Sequence, residues 1–186
     1  MKKVLYSINP QEYPNIEIDF VETTANGARE YTTGEVVEAK KTAVVQAKQL
    51  EKDAVVDTRV RTVVNGKVYV FEETTNKAPA GAIVITNPDG EQYVIKDKIK
   101  DGKLVKSAVE QFNGKYVLTK DGYVSTEGSK HFMPITKNIT FKASWGEQIF
   151  APAGSMLCIE YGAGEEYSVT NSAFESTYEV ESPVWE

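Results

Sequence analysis

One phrase occurs twice in this chain of 186 residues, and no other feature constrains its fold as strongly. The first copy starts with Ala-Pro-Ala-Gly at 78–81 and ends with Gly-Glu-Gln-Tyr at 90–93. The second copy starts with the same four residues at 151–154 and ends with Gly-Glu-Glu-Tyr at 164–167. Their opening glycines lie 73 positions apart, a spacing too long for a solenoid repeat and typical of a duplicated small module.

Turn sequences between runs of β-branched and aromatic residues predict that the modules consist of hairpins. Asn65-Gly66 supplies the positive φ angles of a type I′ turn, and Asn87-Pro88-Asp89-Gly90 is typical of a type I turn. Asn113-Gly114 and Asp121-Gly122 predict one further strand between two turns. Apolar and acidic residues alternate from Ile16 to Phe20, which indicates a strand near the N-terminus.

These signals predict a mainly β fold with two tandem small antiparallel-sheet modules and about one helix. We expect an N-terminal strand extension at 1–35, a first β module at 36–112 and a second at 113–186. Two segments fit a helix or a strand equally well. The first covers 35–53, which is rich in Ala, Lys, Glu and Gln, and the second covers 104–112.

Composition excludes several classes of protein. The formal net charge of −6 argues against a nucleic-acid binder that works by charge. Cys158 is the only cysteine, so the chain has no internal disulfide, and its place in the apolar run at 156–159 predicts a small, buried apolar residue. Its apolar runs are far shorter than the roughly 20 residues that span a bilayer, and too short for a signal-peptide core. The sequence therefore predicts a soluble protein of a reducing cytoplasm, with neither nucleic acid nor membrane as partner.

The residues of the repeated phrase resemble the PGDYG protein family. Its order is Pro-x-Gly, an apolar run, Gly-Glu-x-Tyr and a closing Phe-x-x-Thr-Tyr-Glu. The positions that match are Gly81, Gly90, Glu91, Tyr93, Gly154, Gly164, Glu165, Tyr167, Phe174, Thr177, Tyr178 and Glu179. The segment 40–47 is similar to the family's opening strand. This resemblance implies a small accessory protein of a phage or a bacterium, which would act in the host cytoplasm if phage-encoded.

The chain departs from the family at two kinds of position. Ala82 and Ser155 stand where the family has an aspartate, and the closing phrase occurs only in the second copy. Any chemistry that depends on that aspartate would be lost in both copies. The resemblance therefore implies a way of folding rather than an activity.

The best candidate ligand-binding residues are a glutamate and a tyrosine in each copy, Glu91 with Tyr93 and Glu165 with Tyr167. Residues two apart on a strand share a face, so this carboxylate and phenol could hydrogen-bond a polar ligand. The simpler interpretation is that the tyrosine packs over its hairpin while the glutamate faces solvent or caps a backbone amide.

Two arginines form a second candidate site. Arg59 and Arg61 share one face of a predicted strand and could bind a phosphate or a carboxylate. A solvated strand face would produce the same pattern, so both interpretations stay open.

No motif of a known catalytic class is present. His131 is the only histidine and lies in no metal-binding or nucleophile motif, and the chain has no glycine-rich phosphate loop. We therefore expect no cofactor and no metal. The sequence favours a non-enzymatic accessory protein that binds a host protein or a small polar, nucleotide-like ligand and forms a homo-oligomer. The alternatives are a structural protein of a virion or other assembly, and then a carboxylate-based hydrolase.

Overall fold

The fold is mainly β, with several small sheets and two short α-helices. The computed structural model describes residues 2–7, 11, 14–64, 67–143, 146, 148–160 and 166–181. Within these ranges the predicted fold class is confirmed, although two α-helices form where about one was expected.

The N-terminal part contains three strands and one 3-10 turn. They are β1 (Lys2–Ser7), β2 (Ile16–Asp19), β3 (Val21–Thr24) and the turn at Gly27–Tyr31. The side chains of β2 alternate between half-buried and exposed, as the apolar alternation in the sequence predicted, and those of β3 show the same pattern. β2 pairs antiparallel with β1.

The middle of the chain contains nine of the described strands and the first helix. They are β4 (Val37–Lys41), β5 (Gln46–Gln49), β6 (Ala54–Val64), β7 (Lys67–Ala78), β8 (Ile83–Thr86), β9 (Gln92–Ile95), β10 (Lys98–Lys100), β11 (Lys103–Lys106), α1 (Ala108–Lys115) and β12 (Tyr116–Thr119). Antiparallel pairing of β6 with β7 and of β8 with β9 confirms both predicted hairpins. The Asn65-Gly66 turn itself lies outside the described residues.

The remaining part contains seven described strands and the second helix. They are β13 (Gly122–Ser125), β14 (Lys130–Pro134), β15 (Ile139–Lys142), β16 (Gln148–Ala151), β17 (Met156–Ile159), β18 (Glu166–Val169), α2 (Asn171–Thr177) and β19 (Tyr178–Val180). Hairpins join β12 to β13, β15 to β16 and β17 to β18.

The prediction of a turn at Asn113-Gly114 is wrong, because both residues lie in α1. The Ser107 hydroxyl accepts a hydrogen bond from the Glu110 amide at 3.1 Å and so caps the start of the helix. Burial of Phe112 holds the helix against the sheet. A cap and a buried aromatic residue together outweigh the local turn preference of Asn-Gly.

The segments that the sequence left open are now assigned. The range 35–53 contains β4 and β5 rather than a helix, and 104–112 contains the end of β11 and the start of α1. The boundary expected between residues 112 and 113 falls inside α1.

Two sets of elements follow the same order and the same pairing. The first set is β5, β8, β9, α1 and β12, and the second set is β14, β17, β18, α2 and β19. In each set the first strand pairs with the second, the second forms a hairpin with the third, and a helix and a short strand follow. A further hairpin, β6–β7 or β15–β16, is inserted after the first strand.

The Ala-Pro-Ala-Gly turn holds the same place in both sets. The Gly81 amide donates to the Leu50 carbonyl at 2.8 Å, and the Gly154 amide donates to the Ile135 carbonyl at 2.8 Å. Both glycines have a positive φ, +91° and +92°, which residues with a side chain rarely adopt. The repeated phrase therefore encodes one turn twice.

The strand that precedes each set pairs with the other set. β4 directly precedes β5 in the chain but lies between β14 and β19. β13 directly precedes β14 but forms a hairpin with β12, and a bridge joins its Tyr123 to Val45, the residue just before β5. The amide of each of these two residues donates to the carbonyl of the other, at 2.8 and 3.0 Å. We call β4 and β13 the linking strands.

The apolar core follows these pairings. Ile85 of β8 packs with Phe112 of α1 in the first set. In the second set, Leu157 of β17 packs with Phe141 of β15 on one face of the sheet, and Cys158 packs under α2 on the other. Cys158 is fully buried, which confirms its predicted role as a small apolar core residue.

The N-terminal strands join the two inserted hairpins. β1 pairs with β7, and β3 runs parallel to β15. Between β2 and β3, Phe20 is buried with Tyr69 of β7 and Phe150 of β16. The ring of Phe20 meets that of Phe150 edge to face at 6.0 Å. The N-terminal part is therefore a second connection between the sets.

The close approach of β13 to the first set can be tested at Gly122, which has a φ of +136°. A Cβ atom there would lie 2.6 Å from the Val44 side chain and 3.1 Å from the Val45 carbonyl oxygen. We expect Gly122→Ala to lower the free energy of unfolding by about 2–4 kcal/mol, measured by urea denaturation.

Gly114→Ala is the matched control, because a Cβ atom in that position of α1 meets nothing within 4 Å. Since alanine is the better helix former, this variant should be about 0.5–1 kcal/mol more stable than the parent. Equal unfolding midpoints for the two variants would contradict the close packing of β13 against the first set.

Candidate functional site

Four tyrosines occupy matching places in the two sets. Tyr93 lies on β9 and Tyr167 on β18, while Tyr116 and Tyr178 are the first residues after α1 and α2. Each of the latter two stacks on the phenylalanine four residues earlier, with ring centroids 5.3 and 5.2 Å apart. We call these four residues the tyrosine cluster.

In the first set, a lysine from a linking strand reaches into the tyrosine cluster. The hydroxyls of Tyr93 and Tyr116 are hydrogen-bonded to each other. Lys41, the last residue of β4, donates from Nζ to the Tyr116 hydroxyl at 2.9 Å. Its ammonium group lies 5.3 Å from the centroid of the Tyr93 ring and 5.4 Å from that of Tyr116, within range of a cation–π contact.

The second set has a similar arrangement with a different lysine. Tyr178 lies near enough to Tyr167 to add to the rise in the pKa of the Tyr167 hydroxyl, and Lys130 of β14 lies 5.4 Å from the centroid of the Tyr167 ring. The Lys130 Nζ is 3.4 Å from the Tyr167 hydroxyl and 3.2 Å from an oxygen of Glu127. Each tyrosine pair therefore has one ammonium group beside it.

Burial shapes the acid–base behaviour of the tyrosine cluster. It raises the pKa of Tyr93, Tyr167 and Tyr178 far above the ordinary value of 10.0, because a low-dielectric interior disfavours the phenolate. Tyr178 further raises the pKa of Tyr93, and Tyr116 further raises the pKa of Tyr178. These effects across the two sets show that the two tyrosine pairs lie near each other. Burial also raises the pKa of the Cys158 thiol to about 11, which removes its nucleophilic form at neutral pH.

The Asn-Pro-Asp-Gly turn of the first set contacts the start of α2. The Thr170 hydroxyl donates to a Glu91 carboxylate oxygen at 3.0 Å, and the Ser172 hydroxyl donates to Asp89 at 2.8 Å. Thr170 also caps α2, since its hydroxyl accepts from the Ala173 amide at 3.3 Å. Two carboxylates at a helix N-terminus are favoured by its dipole. These contacts join the two sets.

The structure brings some of the predicted site residues together. Tyr93 and Tyr167 belong to the tyrosine cluster, whereas Glu91 contacts α2. Arg59 and Arg61 lie on β6, where their backbones pair with residues of β7. Glu165 lies outside the described residues. Binding of a ligand by any of these residues stays a prediction.

Sequence reasoning missed a partly buried ion pair beside the second glutamate-tyrosine pair. The Arg29 guanidinium of the 3-10 turn donates from Nε to Glu166 at 2.6 Å. Glu166 is buried, and its other carboxylate oxygen has no hydrogen-bond partner among the described residues. In the sequence, the repeated phrase singles out Glu165 and Tyr167 as candidate site residues. No local sequence signal identifies Glu166, which lies between them, as the partner of an arginine.

Sequence reasoning also missed the contacts of four other residues: Asp89, Thr170, Lys41 and Lys130. Asp89 and Thr170 carry sequence signals for a turn and a helix cap, but neither signal identifies its partner, which lies 83 residues away for Asp89 and 79 for Thr170. Lys41 and Lys130 are ordinary lysines in sequence. Pairing of distant strands brings them to the tyrosines, between the sets for Lys41 and within the second set for Lys130.

The described residues contain no group of three or more His, Cys, Asp or Glu side chains that could hold a metal ion. Nor does any helix among them have the length and apolar character needed to cross a bilayer. A comparison of the chain with protein-family models, curated proteins and solved structures finds no match. The resemblance to the PGDYG family stays a prediction.

The raised pKa values predict how stability depends on pH. In the unfolded chain, tyrosines lose their protons near pH 10, whereas Tyr93, Tyr167 and Tyr178 keep theirs in the folded protein. Unfolding above that pH therefore releases protons, and stability falls as the pH rises. We expect a loss of about 1.4 kcal/mol per pH unit for each of the three, measured by urea denaturation above pH 10.

Tyrosinate absorbance supplies the independent check. The three residues should ionise together with unfolding, while exposed tyrosines ionise earlier. A variant with Tyr93→Phe, Tyr167→Phe and Tyr178→Phe should lose much of the alkaline pH dependence. If all ten tyrosines ionise near pH 10 while the protein stays folded, the cluster is not buried as described.

Proposed function

We propose that this protein is a non-enzymatic accessory binding protein of a phage or a bacterium, built on two duplicated β modules. The modules form a body that holds exposed hairpins, and the hairpins contact a macromolecular partner such as a host protein. The matching order of elements in the two sets supports the duplication, and the residues of the repeated phrase support the origin.

One observation carries this proposal. The strands and helices of the two sets follow the same order, but the hairpins that extend from the two sets differ. The first set has the long inserted hairpin β6–β7 where the second has the short β15–β16. It alone carries β10–β11, between its third strand and its helix. All residues from 96 to 106 are exposed. A segment that adds no buried contact to the body is better explained by an external partner than by folding.

The contacts of the predicted site residues favour a macromolecular partner over a small polar ligand. The hydroxyl of Tyr93 bonds to Tyr116, and a carboxylate oxygen of Glu91 bonds to Thr170. A nucleotide-like ligand would have to replace these contacts, and the contact between Glu91 and Thr170 is one that joins the two sets. The exposed hairpin requires no such rearrangement.

Affinity enrichment with quantitative mass spectrometry tests the proposal. The tagged full chain is compared with a variant in which residues 98–106 are replaced by two glycines, and with the pair Arg59→Ala and Arg61→Ala. We expect the full chain to retain a specific protein from a bacterial extract, and the variant without the hairpin to lose most of it. The arginine variant shows whether β6 contributes.

Two results would contradict this function. One is a full chain that retains no specific protein but gains thermal stability with a nucleotide, which would support the small-ligand alternative. The other is recovery of the chain as a stoichiometric component of purified virions, which would support a structural role.

A further inference from the structure

The hairpin β10–β11 has an unusual arrangement of charge. Lys98 lies opposite Lys106 and Lys100 lies opposite Lys103, so two lysine pairs face each other across the strands. Like charges in directly opposite positions destabilise a hairpin. These four lysines, called here the lysine face, belong to a chain whose formal net charge is −6. An anionic partner would relieve the repulsion.

Apolar residues occupy the other face of the hairpin. Ile99 pairs with Leu104 between the two lysine pairs, and side chains alternate between faces along a strand. A register shift between Lys98 and Ile99 leaves Val105 without an opposite residue on β10. Ile99, Leu104 and Val105 are 67%, 61% and 62% exposed. Isolated exposed apolar residues need no explanation, but Ile99 and Leu104 lie directly opposite each other and form a small patch that favours contact with another molecule.

The base of the hairpin is held firmly by α1. The Gln111 side-chain amide donates to the Lys96 carbonyl at 2.6 Å and to the Lys106 carbonyl at 3.3 Å, so it joins both ends. The Asp97 carboxylate accepts from the Ala108 amide at 2.8 Å. At the tip, Asp101 and Gly102 have φ angles of +53° and +74°, as a type I′ turn requires. The hairpin therefore projects in a fixed direction.

The outer edges of the hairpin are open. Among the described residues, β10 and β11 pair only with each other. A hairpin of two strands is marginally stable in water, and a third strand stabilises it. The unpaired amides and carbonyls along an edge are the groups by which sheets take up an extended peptide.

We propose that the β10–β11 hairpin binds an extended acidic protein segment as a third strand, with acidic and apolar side chains alternating along that segment. Its acidic side chains would lie beside the lysine face, and its apolar ones beside Ile99 and Leu104. This inference rests on the proposed function, for which it names the partner's chemistry. The same hairpin of a second copy does not fit, because it would place lysines beside lysines.

The geometry favours a protein segment over a membrane or a nucleic acid. A flat bilayer would touch the lysine face or the apolar face, but not both. A nucleic acid would meet the lysine face, yet it would leave the apolar patch uncovered and would be repelled by the acidic remainder of the chain. An alternating strand contacts both faces at once.

Peptide binding to the full chain tests the inference. The probes are an eight-residue peptide of alternating glutamate and valine, its counterpart with lysine in place of glutamate, vesicles containing phosphatidylserine, and a single-stranded oligonucleotide. Binding is measured by fluorescence anisotropy for the peptides and the oligonucleotide and by co-sedimentation for the vesicles. Amide NMR shifts show which residues respond. We expect the acidic peptide alone to bind and to shift amides within 98–106.

Charge reversal supplies the matched pair of variants. Changing Lys98, Lys100, Lys103 and Lys106 to glutamate should weaken binding of the acidic peptide at least about tenfold, since four exposed ion pairs are lost. The control reverses the exposed lysines Lys48, Lys77, Lys120 and Lys137, with the same change in net charge, and should bind as the parent does. A third variant with glutamine at the four hairpin positions removes the charge without new repulsion and should also bind weakly.

The outcomes separate this inference from the proposed function. Equal weakening by both charge-reversed variants, binding of the vesicles or the oligonucleotide instead, or no binding of the acidic peptide would overturn the inference. If the cellular partner still depends on residues 98–106 in such a case, the proposed function stands and only the partner's chemistry is wrong. If the full chain retains no partner at all, the proposed function itself is wrong.

Discussion

The structure depends on the pairing of β4 with strands that lie far along the chain. β4 has β14 on one side and β19 on the other. Without it, both of those strands would present unpaired amides and carbonyls, which are costly to leave unsatisfied when buried. Ala39 at its centre is fully buried in the same core cluster as Phe132 and Phe174. The second set is therefore complete only with a strand that precedes the first set.

The other contacts between the sets follow from this exchange. β4 ends at Lys41, and its position places that ammonium group beside Tyr93 and Tyr116. The amides of Thr42 and Ala43, just beyond β4, donate to the carbonyl of the last residue of α2. The turn of the first set then meets the start of that helix through Glu91. The pairing of β4 therefore positions three features together: the tyrosine cluster, α2 and the turn of the first set.

Local features of the fold could be predicted from the sequence, because short-range chemistry determines them. The Asn-Pro-Asp-Gly hairpin, the alternating strand from Ile16 and the burial of Cys158 are confirmed. Pairing between distant strands could not be predicted, since nothing in Val37–Lys41 names β14 as its neighbour. The helix at Asn113-Gly114 was missed for a similar reason: burial of Phe112 against another element decides it.

The same distinction applies to the candidate site. The repeated phrase directs attention to Glu91 and Tyr93, but their polar partners lie on α2 and at the end of α1. By contrast, the charge pattern of β10–β11 is readable once its strands are known to pair. We therefore assign the proposed function to the exposed hairpin β10–β11, which only the first set has, and we assign the repeated phrase a role in folding.

Native-state hydrogen exchange tests most directly whether the linking strands join the two sets into one cooperative unit. We expect the hydrogen-bonded amides of β4 to exchange only through global unfolding, with the same free energy as those of β14 and β17. Loss of protection in β4 at a clearly lower free energy, while β14 and β17 stay protected, would contradict the account. In that case the second set would hold together without the exchanged strand.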